Sequence, residues 1–81
     1  MTDNKLIIVL KGCTLTLNIS KILSITLFAS LVMHNPENFH PIHLSGVDDN
    51  GNNVRVELAT MDELFDFLEQ VHYCFEMLLN D

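Results

Sequence analysis

Val54-Arg55-Val56-Glu57-Leu58-Ala59-Thr60-Met61-Asp62-Glu63 changes its period within ten residues. Val54, Val56 and Leu58 alternate with Arg55 and Glu57, the period of a strand buried on one face. At Thr60 the alternation stops. Glu63 follows Thr60 by three residues, which is the capping-box spacing, and Asp62 also complements a helix N-terminus. Beyond it, Leu64, Phe65, Phe67, Leu68, Val71, His72, Cys74, Phe75, Leu78 and Leu79 fill about half of a helical wheel. Asp62, Glu63, Asp66, Glu69, Gln70, Tyr73, Glu76 and Met77 fill the other half. The segment predicts a strand running into a capped helix from Met61 to about Leu79.

Reading backwards, Ile42 to Val47 is a second apolar run, separated from Val54 by Asp48-Asp49-Asn50-Gly51-Asn52-Asn53, a strong hairpin signal. A two-residue Asn50-Gly51 turn would pair Val47 with Val54 and set Ser45 and His43 beside Val56 and Leu58. Slipping the register by one residue exchanges the faces. Leu44 then pairs with Leu58 and Gly46 with Val56, and Ile42 and Leu44 share a face with Val54, Val56 and Leu58. Burial favours the second arrangement, with a bulge or a loop longer than two residues.

The first half of the chain repeats the plan. Lys5 to Lys11 (KLIIVLK) is a β-branched run without polar alternation, which predicts a strand covered on both faces. Gly12-Cys13 permits a turn, and Thr14-Leu15-Thr16-Leu17-Asn18-Ile19 alternates again. Ser20 is placed to cap a helix that reaches about His34 and is stopped by Asn35-Pro36. The β-branched Ile22, Ile25, Thr26 and Val32 make a third strand the competing assignment. Thr26, Ser30 and His34 form the polar stripe of this segment, so a helix here must be covered on most sides. The expected fold class is therefore α+β, ββα–ββα: a four-stranded, mostly antiparallel sheet with two helices on one face. Residues 1–81 make a single domain, with an internal ββα repeat over 5–34 and 42–80.

The charge is lopsided. Residues 1–47 carry three lysines against two acids, and residues 48–81 carry one arginine against nine, for a net −7. No basic patch of the kind that binds nucleic acid or anionic lipid can be assembled, so direct nucleic-acid binding and membrane association are excluded as expectations. The longest apolar stretch, Ile22 to Met33, falls short of the ~20 residues of a span. Leu10-Lys11-Gly12-Cys13 superficially matches a lipoprotein cleavage box, but Leu6 to Leu10 is too short for a signal core. The expected location is cytoplasmic, with Cys13 and Cys74 reduced and buried.

Catalytic grammar is sparse. His34, His40 and His43, with Glu37 among them, carry metal-ligating chemistry, but H-x5-H-x2-H matches no ligand spacing and the connecting loop is proline-rich. Cys74 and His72 diverge on a helix. Asp48-Asp49-Asn50-Gly51-Asn52 lacks the spacing and distal Glu of an EF-hand. No phosphate loop or nucleophile elbow is present. The chain is read as non-enzymatic, with no metal and no cofactor.

Two surfaces remain to do the work. Asp62, Asp66, Glu69, Tyr73 and Glu76 follow i, i+3 and i+4 steps with no lysine or arginine among them. An idle solvated helix gains about 0.2–0.5 kcal/mol from each interleaved opposite charge, so a one-signed stripe is a small avoidable cost. With Tyr73 in its middle, the stripe suits a contact with a basic protein surface. The second surface is apolar: Ile7 and Val9 on the first strand, the nearly all-round apolar first helix and the wide apolar face of the second exceed what two layers cover, which points to a homodimer or an obligate complex. In size, acidity and lack of catalytic motifs the chain resembles phage-encoded inhibitors, anti-CRISPR and DNA-mimic proteins among them. That resemblance of format implies a small cytoplasmic protein blocking a basic surface of its partner.

Overall fold

The computed structural model describes residues 4–79, apart from the side chain of Leu78. The chain runs β1 (Lys5–Leu10), β2 (Cys13–Asn18), α1 (Ile19–His34), a single 3-10 turn (Pro36–Asn38), β3 (Ile42–Val47), β4 (Asn53–Leu58) and α2 (Met61–Leu79). The four strands form one antiparallel sheet in the order β1-β2-β3-β4, and both helices pack on it.

Alternation in the strands builds one face of the core. Leu6 and Ile8 pair with Leu17 and Leu15 across the first hairpin, while Leu44 faces Val56 across the second. All six, with Leu58, are buried. Helix α1 contributes Ile22, Ile25, Ala29 and Val32, and α2 contributes Leu64, Phe67 and Val71. The 3-4-3 spacing of the α1 set confirms helix over strand for this segment. Burial of these side chains from both helices against one sheet face is the dominant stabilising term, at about 1.5–3 kcal/mol for each large side chain.

Lys11 and Gly12 close the first hairpin with φ of 53° and 75°. Positive φ at both central residues is the mark of the primed turns whose twist matches that of the strands. The second hairpin closes around Asp48. Its Oδ1 accepts from the Asn50 and Asn52 amides, both at 2.9 Å, and the Asp48 amide donates to the Asn52 carbonyl at 3.0 Å. These bonds hold the Asp48 carboxyl below the usual carboxylate range, the Asn52 amide acting most strongly. The two hairpins join through one registered pair, Thr14 with Val47. Gly46 lies at that join, with Leu15 directly over it.

Four expectations need correction. β1 is covered on one face only: Ile7 and Val9 are 62% and 61% exposed, because both helices sit on the opposite side. The second hairpin keeps the expected faces but shifts its partners by two, pairing Leu44 with Val56 and Gly46 with Val54. The five-residue loop 48–52 set by Asp48 produces that shift. Ser20 does not cap α1, since the helix begins at Ile19 behind an extended Asn18. The Ile19 amide continues the β1–β2 ladder by donating to the Asn4 carbonyl, 3.0 Å, so strand passes into helix with no separate capping residue. Finally, His72, Phe75 and Leu79 are exposed. Nineteen residues of α2 span about 28 Å, longer than the ~20 Å of a six-residue strand. Its last turns overhang the sheet. Leu78, also expected on the apolar side, has its side chain outside the described residues.

The capping box at α2 forms with one variation. Thr60 Oγ1 accepts from the Glu63 amide at 3.2 Å, and Glu63 Oε1 accepts from the Ala59 amide at 3.2 Å, one residue before the cap. Lys11 reaches across from the first turn, donating to Glu63 Oε2 and to the Glu57 carbonyl. One lysine thus ties the β1–β2 turn to the end of β4 and the start of α2.

Candidate interaction surfaces

The acidic stripe assembles as its spacing requires. Asp62, Asp66, Glu69, Tyr73 and Glu76 are all exposed and occupy an arc of about 80° over ~21 Å of α2. Among the described residues, no basic group lies within ion-pair distance of Asp62, Asp66 or Glu69, while Glu76 has His72 one turn away at 3.9 Å. Tyr73 is 58% exposed and Met77 equally so, giving the stripe an apolar centre and flank.

Ile7 and Val9 lie on the outer sheet face, opposite Thr16 and Thr14. Thr14 continues this face to Val47. Towards β4 it becomes polar, with Ser45 opposite Arg55 and His43 opposite Glu57. His43 Nε2 stands 3.5 Å from Glu57 Oε2. Both open edges of the sheet are engaged by side chains. Cys74 Sγ donates to the Ile7 carbonyl on β1 (3.6 Å), and Lys11 takes the Glu57 carbonyl on β4 (3.1 Å). Such contacts blunt strand-to-strand association.

A third surface lies on the first helix, whose apolar surplus was legible in the sequence without its individual residues being singled out. On the outer side of α1, Leu23, Leu27 and Leu31 are exposed, Leu27 at 72%. The signal was present in the i, i+4, i+8 spacing of three leucines opposite Ile22, Ile25 and Ala29. It was masked because the whole segment is apolar.

The histidines do not converge. His40 packs against Phe28 in a tilted arrangement, with ring centroids 4.6 Å apart and planes at 45°, and its Nδ1 lies 3.2 Å from the Pro41 carbonyl. His43 is on the outer sheet face and His34 ends α1. Among the described residues no three His, Cys, Asp or Glu side chains are grouped to hold a metal ion. A shallow cleft of about 400 Å³ lies between α1 and the His40–His43 segment, lined by Lys21, Ser24, Phe28 and Ile42. Cys13 and Cys74 are free thiols and only half-buried, less enclosed than expected. Among the described residues no helix is long and apolar enough to cross a membrane.

Comparison of the chain with protein-family models, with curated proteins and with solved structures gave no match. The reading of function therefore rests on these surfaces.

Proposed function

We propose that this is a non-catalytic binding protein that presents the acidic face of α2 to a basic surface on a protein partner. The format is that of a phage-type inhibitor, in which such a face occludes a nucleic-acid-binding site. The observation that carries the reading is the unneutralised set Asp62, Asp66 and Glu69 beside exposed Tyr73, on the outer side of a helix whose inner side is fixed in the core. Acids about 6 Å apart along a helix approximate the spacing of successive phosphates on a strand. A basic groove built for phosphates would meet the stripe with complementary charge, which raises the association rate and orients the partner. Asp66→Lys with Glu69→Lys tests this: binding is lost while the circular dichroism spectrum and thermal midpoint hold, because neither side chain has a partner among the described residues. Unchanged binding would refute it.

A second reading is favoured by the exposure of Ile7 and Val9. Here the outer sheet face joins the protein to a complex and the acids supply solubility. Ile7→Asp or Val9→Asp would then destroy assembly, and the charge reversals would do little.

A further inference from the structure

We infer that the cleft between α1 and the His40–His43 segment binds a small planar aromatic anion, with its anionic group on Lys21. The cleft shares no residue with the acidic stripe or with Ile7 and Val9, so a ligand here is independent of both readings above.

Size and lining fit a small molecule. The cleft holds about 400 Å³, within the ~300–1,000 Å³ of small-molecule sites. Ile25 is buried and Phe28 and Ile42 are half-buried, so they form its floor, while Lys21, His40 and His43 are exposed at its rim. An apolar floor under a few polar groups is the usual make-up of such sites. Phe28 packs against two further rings, Phe39 at 6.1 Å and His40 at 4.6 Å between centroids. That cluster gives the floor an aromatic wall on which a flat ring can lie.

Charge selects the sign of the ligand and its direction. In a chain of net −7, none of the described residues that line the cleft is acidic. Among the described residues Lys21 has no carboxylate within ion-pair distance, whereas Lys11 is committed to Glu63. Lys21 also lies in the first turn of α1, which carries no acid and which Asn18 does not cap with its side chain. A cation at that positive end of the helix dipole is disfavoured by about 0.3–1 kcal/mol, and an anion beside it offsets the cost. His43 Nε2 already has Glu57 Oε2 3.5 Å away, so the anionic group goes to Lys21. The acids of residues 48–81 repel an anion at long range, but at ~0.15 M salt that field is screened beyond ~8 Å, which leaves the local lysine to act.

Titration of the isotope-labelled whole chain with naphthoate, followed by its amide resonances in about 0.15 M salt, tests this. Naphthoate should shift the amides of residues 21–28 and of His40, Ile42 and His43 saturably, with a dissociation constant of ~1 mM or below. Naphthalene methanol carries the same body without the charge, and acetate the charge without the body. Each should bind at least ~3-fold more weakly, the scale of one exposed ion pair. Lys21→Gln should weaken naphthoate by a similar factor at an unchanged thermal midpoint, whereas Lys5→Gln, which removes the same charge elsewhere, should not. No saturable shift up to about 10 mM probe, or shifts centred outside these two segments, overturns the inference. So does equal binding of either analogue, equal binding by Lys21→Gln, or a loss with Lys5→Gln as large as with Lys21→Gln.

Discussion

Replacing Gly46 with alanine tests the joint that makes one sheet of two hairpins. A Cβ at position 46 would stand 2.6 Å from Leu15 Cδ2 and 3.1 Å from the Thr14 carbonyl oxygen. Leu15 is fully buried and cannot swing aside, and the carbonyl belongs to the registered Thr14–Val47 pair. Relief must come from separating β2 from β3. Overpacking of this kind costs about 1–3 kcal/mol, offset by roughly 0.4–1 kcal/mol because alanine restricts the unfolded chain more than glycine does. A net loss of about 1–2 kcal/mol should lower the thermal midpoint by roughly 5–15 °C in a domain of this size. Chemical denaturation should show a lower midpoint with an unchanged slope, which separates lost stability from a change in the unfolded state. Gly12→Ala is the control: no atom lies within 4 Å of its Cβ, and any loss there reflects φ of 75° alone. A Gly46→Ala chain as stable as the parent would mean that the hairpins are not in close contact at Leu15, and the joint described above would be wrong.

Thr60→Ala should cost about 1 kcal/mol, read by chemical denaturation, since it removes the hydroxyl that accepts the Glu63 amide at the start of α2. Asp48 predicts a pH dependence. Its carboxyl is lowered in the fold by the Asn52 and Asn50 amides, so its contribution is complete above the ordinary carboxylate value and is lost as pH falls through the lowered one. The Asn50 and Asn52 amide resonances should titrate together at that lower pH, whereas a midpoint at the ordinary carboxylate value would show that the loop bonds do not form.

What the sequence made legible was whatever two-residue or helical periodicity governs locally. The alternation of Thr14–Asn18 and Val54–Leu58 set the buried faces, and Thr60 with Glu63 set the start of α2. Strand partners in the second hairpin were legible only to parity, because a shift of two residues preserves every face and Asp48 decides the loop length. β1 misled for a related reason. A β-branched run looks the same whether its second face meets a helix or water, and the placement of both helices on one side is a property of the whole chain. The end of α2 misled through length: its apolar pattern continues past Val71, but the sheet beneath it does not. Of the candidate site, the five acidic-stripe residues lie where their spacing put them. The leucines of α1 were hidden among apolar neighbours, since outward and inward positions there carry the same kind of side chain.

The central claim is that the face holding Asp66 and Glu69 binds a basic partner through charge. The most direct measurement is capture from a host lysate on tagged protein at about 50 and 500 mM salt, with wild type beside the Asp66→Lys, Glu69→Lys variant. Exposed charge pairs are screened over a few ångströms at the higher concentration. The account predicts a basic, nucleic-acid-handling protein that is retained by wild type at low salt, released at high salt and absent from the variant. A partner that resists high salt, or that binds the charge-reversed protein equally well, would contradict it.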